Sequence, residues 1–202
     1  MAAVDPESHI KSLLVRERYY RDSCQWEKLR AAYHPDASRT RIDISWFQGD
    51  IDGFVNGSKQ MSKGGTNAIH TICPIEVHLN GNKALSESTG SISIRFNHDG
   101  HQYDCVSHTR FVSRLEKIGS EWKLLTLEAI YDRDYIRPVL PMLATTLPLS
   151  LPTWGRESYK CIAWVLSQKG FTIQQNLPGL DQPSSCEEFM NKSFAWLGEV
   201  AQ

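Results

Sequence analysis

The chain has 202 residues, of which 41% are hydrophobic and 22% charged, with a formal net charge of −1; this suits one globular domain with an appendage. No basic excess exists to neutralise a phosphate backbone, so nucleic acid is not an expected partner, and no run of 18 apolar residues marks a membrane span. The N-terminus lacks a charged stretch leading into an apolar core, so no secretory signal is expected. The five dispersed cysteines (Cys24, Cys73, Cys105, Cys161, Cys186) read as reduced thiols of a cytoplasmic protein.

Asp5-Pro6-Glu7 predicts a helix start, with an N-cap acid, proline at the first helical position and an acid in the first turn. Ile10, Leu13, Leu14 and Tyr20 follow at roughly helical spacing, and Glu17 interrupts that stripe. Asp22-Ser23 predicts a break and a new cap. A second short helix carries Trp26, Leu29 and Tyr33 and stops at His34-Pro35-Asp36. Residues 38–47 alternate and predict a strand; residues 50–63 return to helical spacing and end at Gly64-Gly65. Four strand-like stretches follow, over 68–79, 83–96, 102–116 and 121–131. Asn80-Gly81 is a hairpin turn, and Pro74 marks an edge or a bulge. The expected architecture is α+β: N-terminal helices covering the apolar face of a long antiparallel meander, whose curvature leaves room for a conical cavity.

Residues 137–154 hold four prolines and no charge after Arg137, and predict an extended apolar strap. Two helices follow, at about 156–168 and 186–200, the second with Ser184 and Glu187 as a capping box. The expected division is a domain over 1–136 and, over 137–202, a strap and two helices packed on it.

The stretches YYRDSCQWEKLRAAYHPDA and TRFVSRLEKIGSEWKLLTLEAIYDRD resemble the opening helices and the closing hairpin of SnoaL-like proteins in the nuclear transport factor 2-like superfamily. The resemblance spans residues 8 to 135. It implies a cone with a cofactor-free pocket, often in a homodimer. The group includes scytalone dehydratase, polyketide cyclases and isomerases of secondary metabolism, and also members without known catalysis. The residues match the family at two acid–base positions. Asp22 corresponds to an Asp that orients a catalytic group, its other reading being an N-cap for the Trp26 helix. His70 corresponds to a catalytic His, and an imidazole near its ordinary pKa of about 6.5 moves protons at neutral pH. The resemblance also turns Thr109 and Phe111 inward on the 102–116 strand and sends His108 and Arg110 outward, an order that a bulge would reverse.

Other candidates come from the residues alone. Glu128, set among Leu125, Leu127 and Ile130, reads as a partly buried carboxyl suited to acid–base work or to an Arg pair. Arg41, Tyr20 and Tyr131 are candidates to hold an oxygen whose charge grows during reaction, although Arg39 and Arg41 also fit a solvated face. Trp26, Trp46, Phe47 and Phe111 are candidates to shape the cavity, with Arg110 as a further substrate contact. No metal motif and no nucleotide-binding glycine motif occurs, so neither a metal nor a cofactor is expected. The expected activity is acid–base catalysis on a bulky apolar secondary metabolite: dehydration, isomerisation, rearrangement or cyclisation. The alternative is a non-catalytic small-molecule-binding or oligomerisation module on the same fold.

Overall fold

The computed structural model describes residues 5–140, 149, 151, 153 and 155–198. Helix α1 (Pro6–Asp22) starts as expected: the Asp5 carboxylate accepts the Ser8 N–H at 3.0 Å, and Pro6 sits in the first turn. Its buried residues are Ile10, Leu13, Leu14, Glu17, Arg18 and Arg21. These fall at i, i+3, i+4, i+7, i+8 and i+11, so one stripe faces inward along the whole helix, apolar in its first half and charged in its second. Cys24, in the left-handed region at φ 58°, turns the chain into α2 (Trp26–Ala31), whose N-cap position is Gln25. Asp22 therefore does not cap that helix.

The expected strand over 38–47 is shorter and broken. A 3-10 turn (Ala37–Arg39) precedes β1 (Arg41–Ile44), Ser45 and Trp46 form a tight connection, and β2 (Phe47–Gly49) folds back on β1. The break has a partner: the Ser45 N–H donates to the Tyr131 hydroxyl at 2.9 Å instead of to a neighbouring strand. Helix α3 (Ile51–Lys63) is capped by Asp50 and buries Ile51, Phe54, Val55, Ser58 and Met61.

The long strands follow as β3 (Ala68–Asn80), β4 (Lys83–His98), β5 (His101–Ile118), β6 (Glu121–Leu124) and β7 (Thr126–Pro138). Gly81 supplies the positive φ (61°) of the β3–β4 turn, and the β3–β4 register shifts between Pro74 and Glu76, where a bulge was expected. The strand order is β2-β1-β7-β5-β4-β3, with β6 pairing the end of β5. Among these strands every pairing is antiparallel except β1–β7, which is parallel (Arg41 opposite Thr126), a departure from a pure meander. The concave face carries Ile94, Tyr103, Cys105, Phe111, Leu127 and Tyr131 against the apolar residues of α1 and α3 in one core.

Beyond the strap, a 3-10 turn (Glu157–Tyr159) leads into α4 (Lys160–Ser167) and then α5 (Pro183–Gly198). The α5 helix starts on Pro183, so Ser184 lies inside its first turn and not at the cap. Proline at the first helical position accounts for the earlier start. α5 covers part of the convex face, where Leu85, Val112 and Ile130 meet Cys186 and Leu197. α4 instead packs on β5 and β7 and buries six consecutive residues, Cys161 to Leu166. A bidentate pair fixes this extension: Arg156 Nε and Nη2 donate to the two Asp181 oxygens at 2.8 and 2.7 Å. The chain near Gly179 then pairs with β7: Tyr131 N–H donates to Pro178 O, and Leu180 N–H to Tyr131 O, each at 3.0 Å. Most of the strap falls on residues 141–148, 150, 152 and 154, outside the described residues. Leu149 packs against the main core. No helix among the described residues is long and apolar enough to cross a membrane.

Candidate active site

A small cavity of about 30 Å³ opens inside the cone. Its wall is mostly apolar, including Ile44, Phe54, Ile92, Ile94, Phe111 and Leu127, and α4 contributes Ile162 and Leu166. The polar groups on the wall are few: Arg18 and Arg21 from α1, His70 from β3, Ser45, and Tyr131 from β7. An apolar pocket with a few converging polar groups is the usual form of a small-molecule site.

The last residue of α1 and the third residue of β3 meet at its edge. The Asp22 carboxylate accepts twice from the same residue: Oδ2 from the His70 backbone N–H at 2.6 Å, and Oδ1 from His70 Nδ1 at 2.7 Å. The His70 side chain is only 6% exposed. Burial pushes its pKa down to about 4; Arg21 and Arg18 act in the same direction, while the Asp22 hydrogen bond opposes it. Burial would raise the Asp22 pKa, but hydrogen bonding from His70 outweighs it and holds the carboxyl below its ordinary range. At neutral pH the pair is therefore carboxylate and neutral imidazole. The proton sits on Nδ1, facing Asp22, and the Nε2 lone pair has no hydrogen-bond partner among the described residues. That is the arrangement of an oriented general base.

Around it, α1 carries a buried charged cluster. Both Arg18 nitrogens Nε and Nη2 donate to Glu17, and the Tyr33 hydroxyl donates to Glu17 Oε1 at 2.9 Å. Burial opposes charge on Arg18, yet Glu17 beside it raises its pKa. Arg21 donates from Nη2 to Met61 Sδ at 3.3 Å, and its Nη1 lies 3.5 Å from Asp22 Oδ1. Tyr131 accepts from Ser45 N–H, and burial pushes its pKa up to about 12. Its ring lies 4.6 Å, centroid to centroid, from that of Tyr159.

The structure thus gathers His70, Trp46, Phe111 and Tyr131 at one cavity, with Asp22 behind its wall and linked to it through His70. Thr109 shares the concave face of β5, buried with its hydroxyl unpartnered, but does not reach the cavity wall. Phe47 stands behind Trp46, ring centroids 5.7 Å apart, and Trp26 packs against the core away from the cavity. Those three expectations need correction, and so do four more. Arg41 is exposed and paired with Asp43 at 2.7 Å, because β1 turns Ile42 and Ile44 inward. Arg110 faces the convex side and binds Asp132 at 3.2 Å. Tyr20 is half-buried against the core, under Lys28, and does not line the cavity. Glu128 alternates with Leu127 and so points out of the cone, into a recess beside α5 lined by Asp43, Asn176 and Lys192.

Arg18 and Arg21 were absent from the sequence candidates. Their signal was present: they continue the periodic stripe of Ile10, Leu13 and Leu14, and a charged residue on a buried stripe is informative because burying it is costly. Among the described residues no group of three or more His, Cys, Asp or Glu side chains is placed to hold a metal ion.

Glu128 allows a check on its placement. Its pKa is raised, first by burial, with Arg114 pulling the other way, and its Oε2 has no hydrogen-bond partner. A raised carboxylate pKa means stability that is present at low pH and lost as pH rises through the folded value. Glu128→Gln should therefore raise the unfolding midpoint at pH 7, with the gain vanishing toward the ordinary Glu pKa of about 4.3. Activity should be unchanged, since the side chain lies outside the cavity. Thermal unfolding at several pH values, with a turnover assay, checks both statements.

Known proteins resemble this chain in sequence or in fold. Pea pathogenicity protein 2 of Fusarium vanettenii is 26% identical over 165 residues, covering 79% of this chain and 69% of that protein. A solved protein of Novosphingobium aromaticivorans assigned as a scytalone dehydratase superposes with a TM-score of 0.52 at 14% identity, over 71% of this chain and 93% of its own. A hexachlorocyclohexane dehydrochlorinase gives a TM-score of 0.54 at 11% identity, over 70% and 94%. These structures show the fold, the cone of the nuclear transport factor 2-like superfamily. The sequence model of the SnoaL-like domain matches residues 2–128, and the chain belongs to that family.

Proposed function

We propose that this protein is a cofactor-independent acid–base enzyme that eliminates from, isomerises, rearranges or cyclises a bulky, largely apolar small molecule of secondary metabolism. One observation carries the reading: a buried imidazole, held by a carboxylate at 2.7 Å, lines an apolar cavity. Such a pair can accept a proton from carbon. The carboxylate fixes the tautomer and steadies the imidazolium that forms. The dehydratase and the dehydrochlorinase with this fold bear names of elimination enzymes, which supports that reaction class here.

Mass spectrometry of metabolite pools with and without the gene identifies the substrate as the species that accumulates. Purified protein should convert it without added metal or nucleotide, and His70→Ala should not. Full conversion by His70→Ala would remove His70 from the mechanism, and no conversion by the wild-type protein would leave the binding-module reading in its place.

The pH profile gives a further expected result. A base must be unprotonated to act, and His70 stays neutral until pH falls to about 4. The acid limb of kcat/KM should therefore lie near 4, well below the ordinary imidazole value of about 6.5. Stability should move in the same window. A histidine with a depressed folded pKa leaves the native state short of protons, so stability is full above about 6.5 and falls by roughly 3 kcal/mol as pH drops to about 4. Denaturant unfolding between these pH values measures it.

A further inference from the structure

The buried charges of α1 do not all have partners of equal quality, and Arg21 is the exception. Glu17 is engaged by Arg18 and Tyr33. Both oxygens of Asp22 are engaged by His70, at 2.6 and 2.7 Å. Among the described residues Arg21 has only the Met61 thioether at 3.3 Å and a 3.5 Å approach to the already occupied Asp22 Oδ1. A guanidinium carries five donors, and a thioether is a weak acceptor. Arg21 is nonetheless 7% exposed and lines the cavity. A buried cation of this kind calls for an anion with good geometry.

We infer that Arg21 is a substrate-binding residue that takes a planar oxygen anion of an otherwise apolar molecule. This inference rests on the acid–base reading of the same cavity and names the substrate class for it. Arg18 does not compete for the role, since Glu17 already occupies its fork. Two sources supply such an oxygen. The substrate carries a carboxylate, or it carries a ketone whose oxygen becomes anionic in the reaction. In the second case the His70 Nε2 lone pair takes a proton from the carbon beside the carbonyl. The C–H electron pair becomes the C=C bond, the carbonyl π pair moves to oxygen, and Arg21 N–H groups hold that oxygen. The proton then passes from His70 to another atom of the same molecule, so no oxidant, reductant or second substrate is needed. The Ile92, Ile94, Phe111 and Leu127 side chains fit the apolar body.

The test uses the full chain and three probes: 2-naphthoate for the carboxylate, 4-nitrophenolate for the enolate, and 4-nitroanisole as a neutral control. Calorimetry or the phenolate absorption band reports binding. The wild-type protein should bind at least one anion, and Arg21→Met should bind it roughly 10- to 100-fold more weakly. Arg21→Lys should fall between the two, and 4-nitroanisole should bind all three alike. A preference for naphthoate assigns a carboxylate substrate; a preference for the phenolate assigns an enolate. Near-ultraviolet circular dichroism checks each fold, and Arg21→Gln serves where Arg21→Met does not fold. His70→Ala should keep its anion affinity while losing turnover, so failure of the acid–base reading shows in turnover and failure of this one in affinity. Anion binding by Arg21→Met and Arg21→Gln equal to wild type, or no anion binding by the wild type, overturns the assignment.

Discussion

Asp22→Asn should lower kcat on the substrate identified above by roughly 10²- to 10⁴-fold, the usual contribution of a positioned acid–base group. The reason is tautomeric. Asp22 accepts from two donors of one residue, the His70 backbone N–H and Nδ1–H. Asparagine offers one acceptor and one donor. If its oxygen keeps the backbone N–H, its amide N–H faces Nδ1, which must then become the acceptor. The imidazole proton moves to Nε2, and the free lone pair there is lost, as when an amide replaces the orienting carboxylate of a hydrolase triad. The cavity wall is untouched, so KM should move far less than kcat. Nitrogen NMR of the His70 ring reads the tautomer directly, and stopped-flow or steady-state assays read the rate. An unchanged kcat with the tautomer switched would remove His70 as the base, whereas an unchanged tautomer would remove the explanation.

Much of this site was legible before the fold was known, and the remainder shows what sequence alone leaves open. The order of elements follows from local signals: the Asp5 cap, the Asn80-Gly81 turn, the bulge at Pro74. Phe111 and Arg110 are adjacent, and nothing in their own strand says which faces the core; α1 and α3 on the concave side decide it. The same alternation misled at Glu128, where apolar neighbours suggested burial in the cone. The carboxyl is indeed mostly buried, but under α5 on the other face. Ser45 broke an apparently continuous strand because its partner, the Tyr131 hydroxyl, lies 86 residues away. Glu17 looked like an interruption of a helical stripe. It is the counterion that lets Arg18 follow it inside. In each case the missing information was the identity of the covering element, a tertiary fact that no local window holds.

That dependence of the site on its framework is sharpest at Gly90, and Gly90→Ala should cost about 3 kcal/mol of stability together with most of the activity. A Cβ at Gly90 would stand 2.4 Å from the Thr71 carbonyl oxygen and 2.9 Å from the Phe111 ring. Neither neighbour yields easily. Thr71 is backbone in the middle of the β3–β4 ladder, where Ile72 pairs with Gly90, and Phe111 is packed on the cavity wall. Glycine inside a strand marks such a close approach, and forcing an extra carbon into a filled space typically costs about 1–3 kcal/mol, more when backbone must move. The chain can relieve the contact in two ways, and both reach the site. Pushing β3 outward carries His70, one residue before Thr71, away from Asp22. Rotating Phe111 narrows the space in front of the imidazole, since the two rings lie 6.3 Å apart. Denaturant unfolding measures the first quantity, and kcat/KM at a temperature where the variant is folded measures the second. Stability equal to wild type would mean that the ladder at Ile72 and Gly90 is looser than these contacts require. Lost stability with full activity would mean that β3 holds His70 independently of its pairing with β4.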